Sequence, residues 1–198
     1  MDSIATFQDQ PPDDLRLEGE LVALVPVLPG HAPALFEQVH RRQEVLSWLI
    51  WDGPGTVEDL EKSFAQWAQP SKFGCHVHLA ILERGAQDRP VGTLSLRFQS
   101  TGVGDLGYWL GSDAWNRGLA TEAISLVAEY SLLECGASAL CAWVDVGNEA
   151  SRRVLEKNGF NFERTIPGKA HKSTGPVDQW GFVLTEKEAR RRAATSGH

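Results

Sequence analysis

The stretch that decides the fold runs from Gly107 to Ala123: Gly-Tyr-Trp-Leu-Gly-Ser-Asp-Ala-Trp-Asn-Arg-Gly-Leu-Ala-Thr-Glu-Ala. Its first residues close an apolar strand, predicted over 104–110, and its middle is a loop of small and polar residues. From Arg117 onward the pattern is helical, with Ala120, Ala123, Ile124, Val127, Ala128 and Leu132 at mixed three- and four-residue spacing. The strand thus opens through a short loop into a helix predicted over 117–134. Gly118 lets the backbone approach a ligand closely, and Ala120 keeps the next turn small. The N–H groups of a helix's first turn lack internal acceptors and sit at the positive end of its dipole. Such a loop is a ready site for a phosphate, to which Arg117 can add a charged donor. A glycine before a helix is more often just a turn. No GxxxxGK[ST] loop occurs, which discounts a P-loop nucleotide enzyme, and the GxGxxG spacing of a dinucleotide site is missing.

A second segment, Val144-Asp-Val-Gly-Asn-Glu-Ala-Ser-Arg-Arg-Val-Leu-Glu-Lys-Asn-Gly-Phe160, follows the next apolar strand, 139–146. Asn148 and Ser151 have the spacing of an N-cap and its third helical residue, and Gly159 stops the helix. Two helix N-termini therefore sit beside the C-terminal ends of neighbouring parallel strands, the usual crevice for ligands in such sheets.

Working outward, Leu15 to Leu28 reads as an early strand or hairpin and Ala32 to Gln43 as a helix. Thr56, with Asp59 three positions on, caps a helix to about Ala68. Strands follow from His76, from Val91 to Gln99 and over 104–110, and later over 160–166 and 179–184. The order is strand, two helices, three strands, helix, strand, helix, two strands: a mixed α/β (α+β) chain of about seven strands with flanking helices. Residues 1–14 read as a flexible arm, 15–185 as one domain and 186–198 as a C-terminal tail.

The chain has 198 residues, long enough for one core without disulfides or metal. Nineteen basic against 26 acidic residues give a net charge of −7, which counts against nucleic-acid binding. No run is long enough to span a bilayer, the first residues do not read as a signal peptide, and three unpaired cysteines suit a reducing compartment. The expectation is a cytoplasmic protein, monomer or homodimer, with neither nucleic acid nor membrane as partner.

The pair GYWL…WNRGLATEA and VDVGNEASRRVLEKNGF resembles the GCN5-related N-acetyltransferases (GNAT), most closely their RimJ/RimL branch of ribosomal-protein acetyltransferases. Trp115 departs from that pattern, standing where Gln or Arg is usual. The resemblance implies a sheet with a splayed parallel strand pair in its middle and acetyl-CoA as co-substrate, with no metal. Carried over by motif, Trp109 and Leu110 offer backbone groups to the pantetheine and thioester. The backbone from Asn116 through Arg117, Gly118, Leu119 and Ala120 to Thr121 cradles the pyrophosphate. Asn148 bonds the pantetheine arm, and Ser151 lies near the sulfur as a proton source, or else is only a helix-start hydroxyl. Asp105 matches an acidic position of the branch and acts as a base through water, or is a strand-edge residue. His76 and His78, on one face of their strand, are further candidates for taking the proton.

Trp48 and Trp51 fall where the family places part of its acceptor pocket; core packing is the competing reading. Trp143 reads as core. Arg152, Arg153 and Lys157 either assist the CoA phosphates or are solvated helix charges. The implied activity is acetyl transfer from acetyl-CoA to a primary amine, on a protein N-terminus or a small molecule, by direct attack on the thioester. The alternative is a non-catalytic acyl-CoA-binding or sensing module of the same fold.

Overall fold

The computed structural model describes residues 12, 14–69, 75–85, 87–98, 101–172 and 175–196. The arm expected over 1–14 lies almost wholly outside them. Eight strands are present: β1 (Leu17–Glu18), β2 (Val22–Pro26), β3 (His76–Glu83), β4 (Arg89–Phe98), β5 (Val103–Leu110), β6 (Ala139–Asp145), β7 (Asn161–Lys172) and β8 (Gly175–Thr185). The helices are α1 (Ala32–Val39), α2 (Gln43–Leu46), α3 (Val57–Trp67), α4 (Leu119–Glu129), α5 (Glu149–Lys157) and α6 (Glu186–Ser196). The strands form one sheet in the order β1-β2-β3-β4-β5-β6-β8-β7, antiparallel throughout except for β5 and β6. The eighth strand comes from the early apolar segment, which folds as the β1–β2 hairpin.

Strand alternation divides the core between two faces. Leu79, Ile81, Leu94, Leu96, Leu106, Leu140 and Phe182 pack with Ile124 and Val127 of α4 and Leu155 of α5. Ala80 and Leu82 face the other way, against Leu35 of α1 and Leu60 and Phe64 of α3. Fully burying one such Leu or Phe side chain contributes about 2 kcal/mol. Both faces are covered, so the sheet is held as a rigid platform between two helical layers.

Local chemistry sets the helix ends. Thr56 and Asp59 form a reciprocal capping box at the start of α3, each side chain taking the other's backbone N–H at 3.1 Å. Asn148 caps α5 by accepting from Ser151 N–H, and Gly159 follows that helix at φ +82°, both as the sequence predicts. The first long helix differs from expectation. It stops at Val39, where His40 turns extended and Arg41 then takes a left-handed φ of +55°, and a separate turn, α2, follows. The helix predicted over 117–134 starts two residues later, and its last turn, Tyr130–Glu134, widens into a π-helix. Cys75 and Cys135 are buried and Cys141 is half-buried, all as free thiols. Among the described residues no helix is long and apolar enough to cross a membrane.

Candidate active site

β5 and β6 pair over only four residues, from Val103 with Ala139 to Leu106 with Ala142. Beyond that point each strand stays zipped to its outer neighbour: Leu110 still pairs with Gly92 of β4, and Asp145 with Gln179 of β8. The sheet therefore splits in its middle. Gly107–Leu110 and Trp143–Asp145 present facing strand edges, each a row of backbone donors and acceptors. A narrow, extended ligand carrying amide groups matches such a slot. The split opens into a cleft of about 1280 Å³.

On the face of the sheet covered by α4 and α5, the loop after β5 closes one wall. Asn116 and Gly118 both take left-handed backbone, at φ +59° and +82°. Asn tolerates this conformation and glycine takes it freely. The loop turns sharply here, and the first helical bond of α4 runs from Glu122 N–H to Gly118 C=O at 3.1 Å. The N–H groups of Leu119, Ala120 and Thr121 precede any helical acceptor and border the cleft. Glu122 turns back to accept from the N–H groups of Glu20, Leu21 and Val22 at 2.7–2.9 Å, tying the start of α4 to the β1–β2 hairpin. The unusual Trp115 donates its indole N–H to the Leu110 carbonyl at 2.9 Å and so closes the end of β5.

Across the split stands α5. Its cap uses Asn148 Oδ1, which leaves the side-chain amide N–H groups for a ligand. Ser151 Oγ lies 2.7 Å from the hydroxyl of Tyr108. Burial pushes the Tyr108 phenol up to about 12, with the hydrogen bond to Ser151 working the other way, so the phenol is protonated at neutral pH. The sequence reading gave Tyr108 no role. Strand parity carried the signal: Leu106, Tyr108 and Leu110 share one face, and the polar tip of Tyr108 must meet something there.

The opposite face carries Asp105, whose carboxylate is held by Arg97 at 2.9 Å. His78 stacks on Trp67 with ring centroids 4.5 Å apart. Burial, and then the charge interactions with His76 and Arg97, bring His78 down to about 4. So weak a base is neutral at neutral pH and takes an ammonium's proton only uphill, which counts against His78 as the acceptor. His76 does not border the cleft.

Most residues singled out for the site border this one cleft: Trp48, Trp51, Asp105, Trp109, Leu110, 116–121, Asn148 and Ser151; His76 and Arg152 do not. Two side chains nonetheless have other engagements. The Arg117 guanidinium is ion-paired with Glu83, which also accepts from Arg89 at 3.0 Å. Burial works against ionisation of Glu83, yet these hydrogen bonds hold its carboxyl below the usual range. Arg152 is paired with Glu156 and lies over the Trp180 ring, whereas Arg153 and Lys157 border the cleft. Trp143 is not core: it is half-buried at the split, crosses Gly181, and carries Lys169 Nζ 4.8 Å from its ring centre. Trp48 is 41% exposed, which removes core packing as its explanation.

Residues 22–161 match the acetyltransferase (GNAT) domain family. Among curated proteins, the chain is 29% identical over 137 residues to the Bacillus subtilis protein YkkB, covering 64% of this chain and 80% of that one. It is 32% identical over 124 residues to the same organism's Probable N-acetyltransferase YjcK, covering 61% and 67%. Among solved structures, a GCN5-related N-acetyltransferase from Brucella melitensis superposes with a TM-score of 0.76 at 22% identity, covering 89% of this chain and 81% of that one. The microcin C7 self-immunity acetyltransferase MccE, solved with acetyl-CoA and AMP, gives 0.76 at 17% identity, covering 88% and 97%. These two structural likenesses speak to the fold.

Proposed function

The chain belongs to the GNAT acetyltransferase family and is an N-acetyltransferase; on that premise we propose that it moves acetyl from acetyl-CoA to a primary amine by direct attack in the split of the sheet. The observation that carries this is the parting of β5 from β6 after Leu106 and Ala142, between an open helix N-terminus and a paired hydroxyl couple. The exposed edges from Trp109 to Leu110 suit the amide groups of a pantetheine arm, and the free amide N–H groups of Asn148 suit it from the other side. The outward N–H groups of 119–121 suit a pyrophosphate, as does the loop from Asn116 to Gly118. Arg117 joins only by leaving Glu83.

In the reaction the neutral amine nitrogen bonds to the thioester carbonyl carbon, the C–S bond breaks with its electron pair on sulfur, and the proton lost by nitrogen balances the one gained by sulfur. Asp105, bordering the cleft on the acceptor side, takes the amine's proton through water. The Ser151–Tyr108 couple faces the leaving sulfur. A phenol near pKa 12 is a far weaker acid than a thiol of about 8.5, so full transfer from Tyr108 is uphill by roughly 5 kcal/mol. The couple instead donates a hydrogen bond to the departing thiolate, which takes its proton from solvent while Asp105 returns the amine's proton there. Holding the two reactants in one cleft supplies much of the remaining acceleration.

The motifs favour the RimJ/RimL-like branch, and a ribosomal-protein alanine acetyltransferase from Vibrio fischeri shares the fold. The binding half of the proposal is tested by thermal shift. Acetyl-CoA raises the melting temperature, while ATP and NAD do not; the reverse order overturns the assignment of the co-substrate.

A further inference from the structure

The acceptor side of the split contains a trough whose shape follows from strand register. His78 of β3 pairs with Ser95 of β4, and Ser95 pairs with Gly107 of β5, so the three form one row across the sheet. Gly107 is the first residue of β5 beyond its last pairing with β6. The row therefore starts at the split and spans two strand spacings, about 10 Å, before it meets the Trp67–His78 stack. Its floor is Ser95 and Gly107, which leave room above the sheet. One flank is Thr93 beside Trp109, the other Arg97 beside Asp105.

The surroundings are aromatic. Six of the seven tryptophans border the cleft, three of them, Trp48, Trp51 and Trp67, from the α2–α3 side. Three carboxylates border it among the described residues, and each is engaged. Asp105 is held by Arg97, Asp145 accepts from Gln179 at 2.9 Å, and Asp59 caps α3. A second ammonium group would therefore have to compete with Arg97, Gln179 or the α3 cap for these oxygens. Burial keeps His78 neutral, so the stack at the end of the trough offers flat ring surface and not charge.

We propose that the acceptor is a small monoamine bearing a flat aromatic ring, with its nitrogen at the split and its ring over Ser95 and Gly107 against the tryptophan wall. The inference rests on the acetyl-transfer reading above and narrows it. An aromatic ring gains stacking against Trp67 and Trp109 that an aliphatic polyamine cannot, and a polyamine's further charges must compete for carboxylates already held.

The test uses the full chain with acetyl-CoA and a panel of phenethylamine, tryptamine, putrescine, spermidine and a peptide beginning with alanine. The arylalkylamines are expected to give kcat/KM at least tenfold above the others and a saturable change in tryptophan emission. Ser95→Leu and Ser95→Phe each fill the floor. Each should lower arylalkylamine kcat/KM at least tenfold while leaving the acetyl-CoA thermal shift in place, a shift that also verifies folding. Best turnover with spermidine or the peptide, or unaltered arylalkylamine turnover in both variants, overturns the inference alone. Absence of an acetyl-CoA shift in the unaltered protein instead overturns the acetyl-transfer reading itself.

Discussion

The hydroxyls of Tyr108 and Ser151 lie 2.7 Å apart, joining β5 to the first turn of α5 two residues beyond the point where β5 leaves β6. If this couple supports the leaving thiolate as a unit, Tyr108→Phe and Ser151→Ala should each lower kcat by roughly 10- to 100-fold, the range of a hydrogen bond to a charged group. The KM for acetyl-CoA should stay within about threefold. The double variant should be little worse than the poorer single one, since removing either partner disables the pair. Fully additive losses would mean that the two hydroxyls act separately.

His78 predicts a dependence of stability on acid. Its folded pKa, about 4, lies below the ordinary 6.5, so between these values the unfolded chain binds the proton that the folded one refuses. Stability from this group is present above pH 6.5 and is lost as pH falls towards 4. Allowing for the partial exposure of the ring, the loss is about 2 kcal/mol. Melting curves from pH 7 to 4 should fall less steeply for His78→Phe than for the unaltered protein. Equal slopes would show that the imidazole is not the group responsible.

Gly118 stands in left-handed backbone at φ +82° immediately before α4. A Gly118→Val change imposes about 1–2 kcal/mol of strain and places bulk beside Leu21 and the outward N–H groups. Titration calorimetry should show acetyl-CoA affinity reduced at least tenfold. Gly118→Asn, which tolerates the conformation, should fall between the two. Unchanged affinity in the Val variant would remove the pyrophosphate loop from the account.

Glu122 holds the hairpin by three backbone N–H groups. Glu122→Gln keeps an oxygen acceptor but loses the charge, so a destabilisation of about 1–3 kcal/mol is expected. Differential scanning calorimetry should record a fall of several degrees in Tm. A Tm within one degree of the original would make the contact incidental.

Much of this was readable from the chain. The Thr56–Asp59 capping box, the Asn148 cap and the stop at Gly159 are local chemistry, and each lies where the residues predict. The strand–loop–helix at 107–123 is local too. What local pattern could not supply is cross-strand register. The pairing of Asp105 with Arg97, the capture of Arg117 by Glu83 and the row from His78 through Ser95 to Gly107 all depend on it. Trp143 misled because an apolar run reads as core, whereas the split leaves its end uncovered. The stop at Val39 was hidden because nothing in the types of His40 and Arg41 announces an extended residue followed by a positive φ.

The most direct test of transfer in this cleft is release of free thiol from acetyl-CoA, followed with and without a primary amine and paired with mass analysis of the amine. Transfer in this cleft predicts amine-dependent release, one N-acetylated product per thiol, and loss of at least tenfold in rate for the Tyr108→Phe, Ser151→Ala double variant. Thiol release independent of amine, or bound acetyl-CoA with no N-acetyl product across the panel, would contradict it.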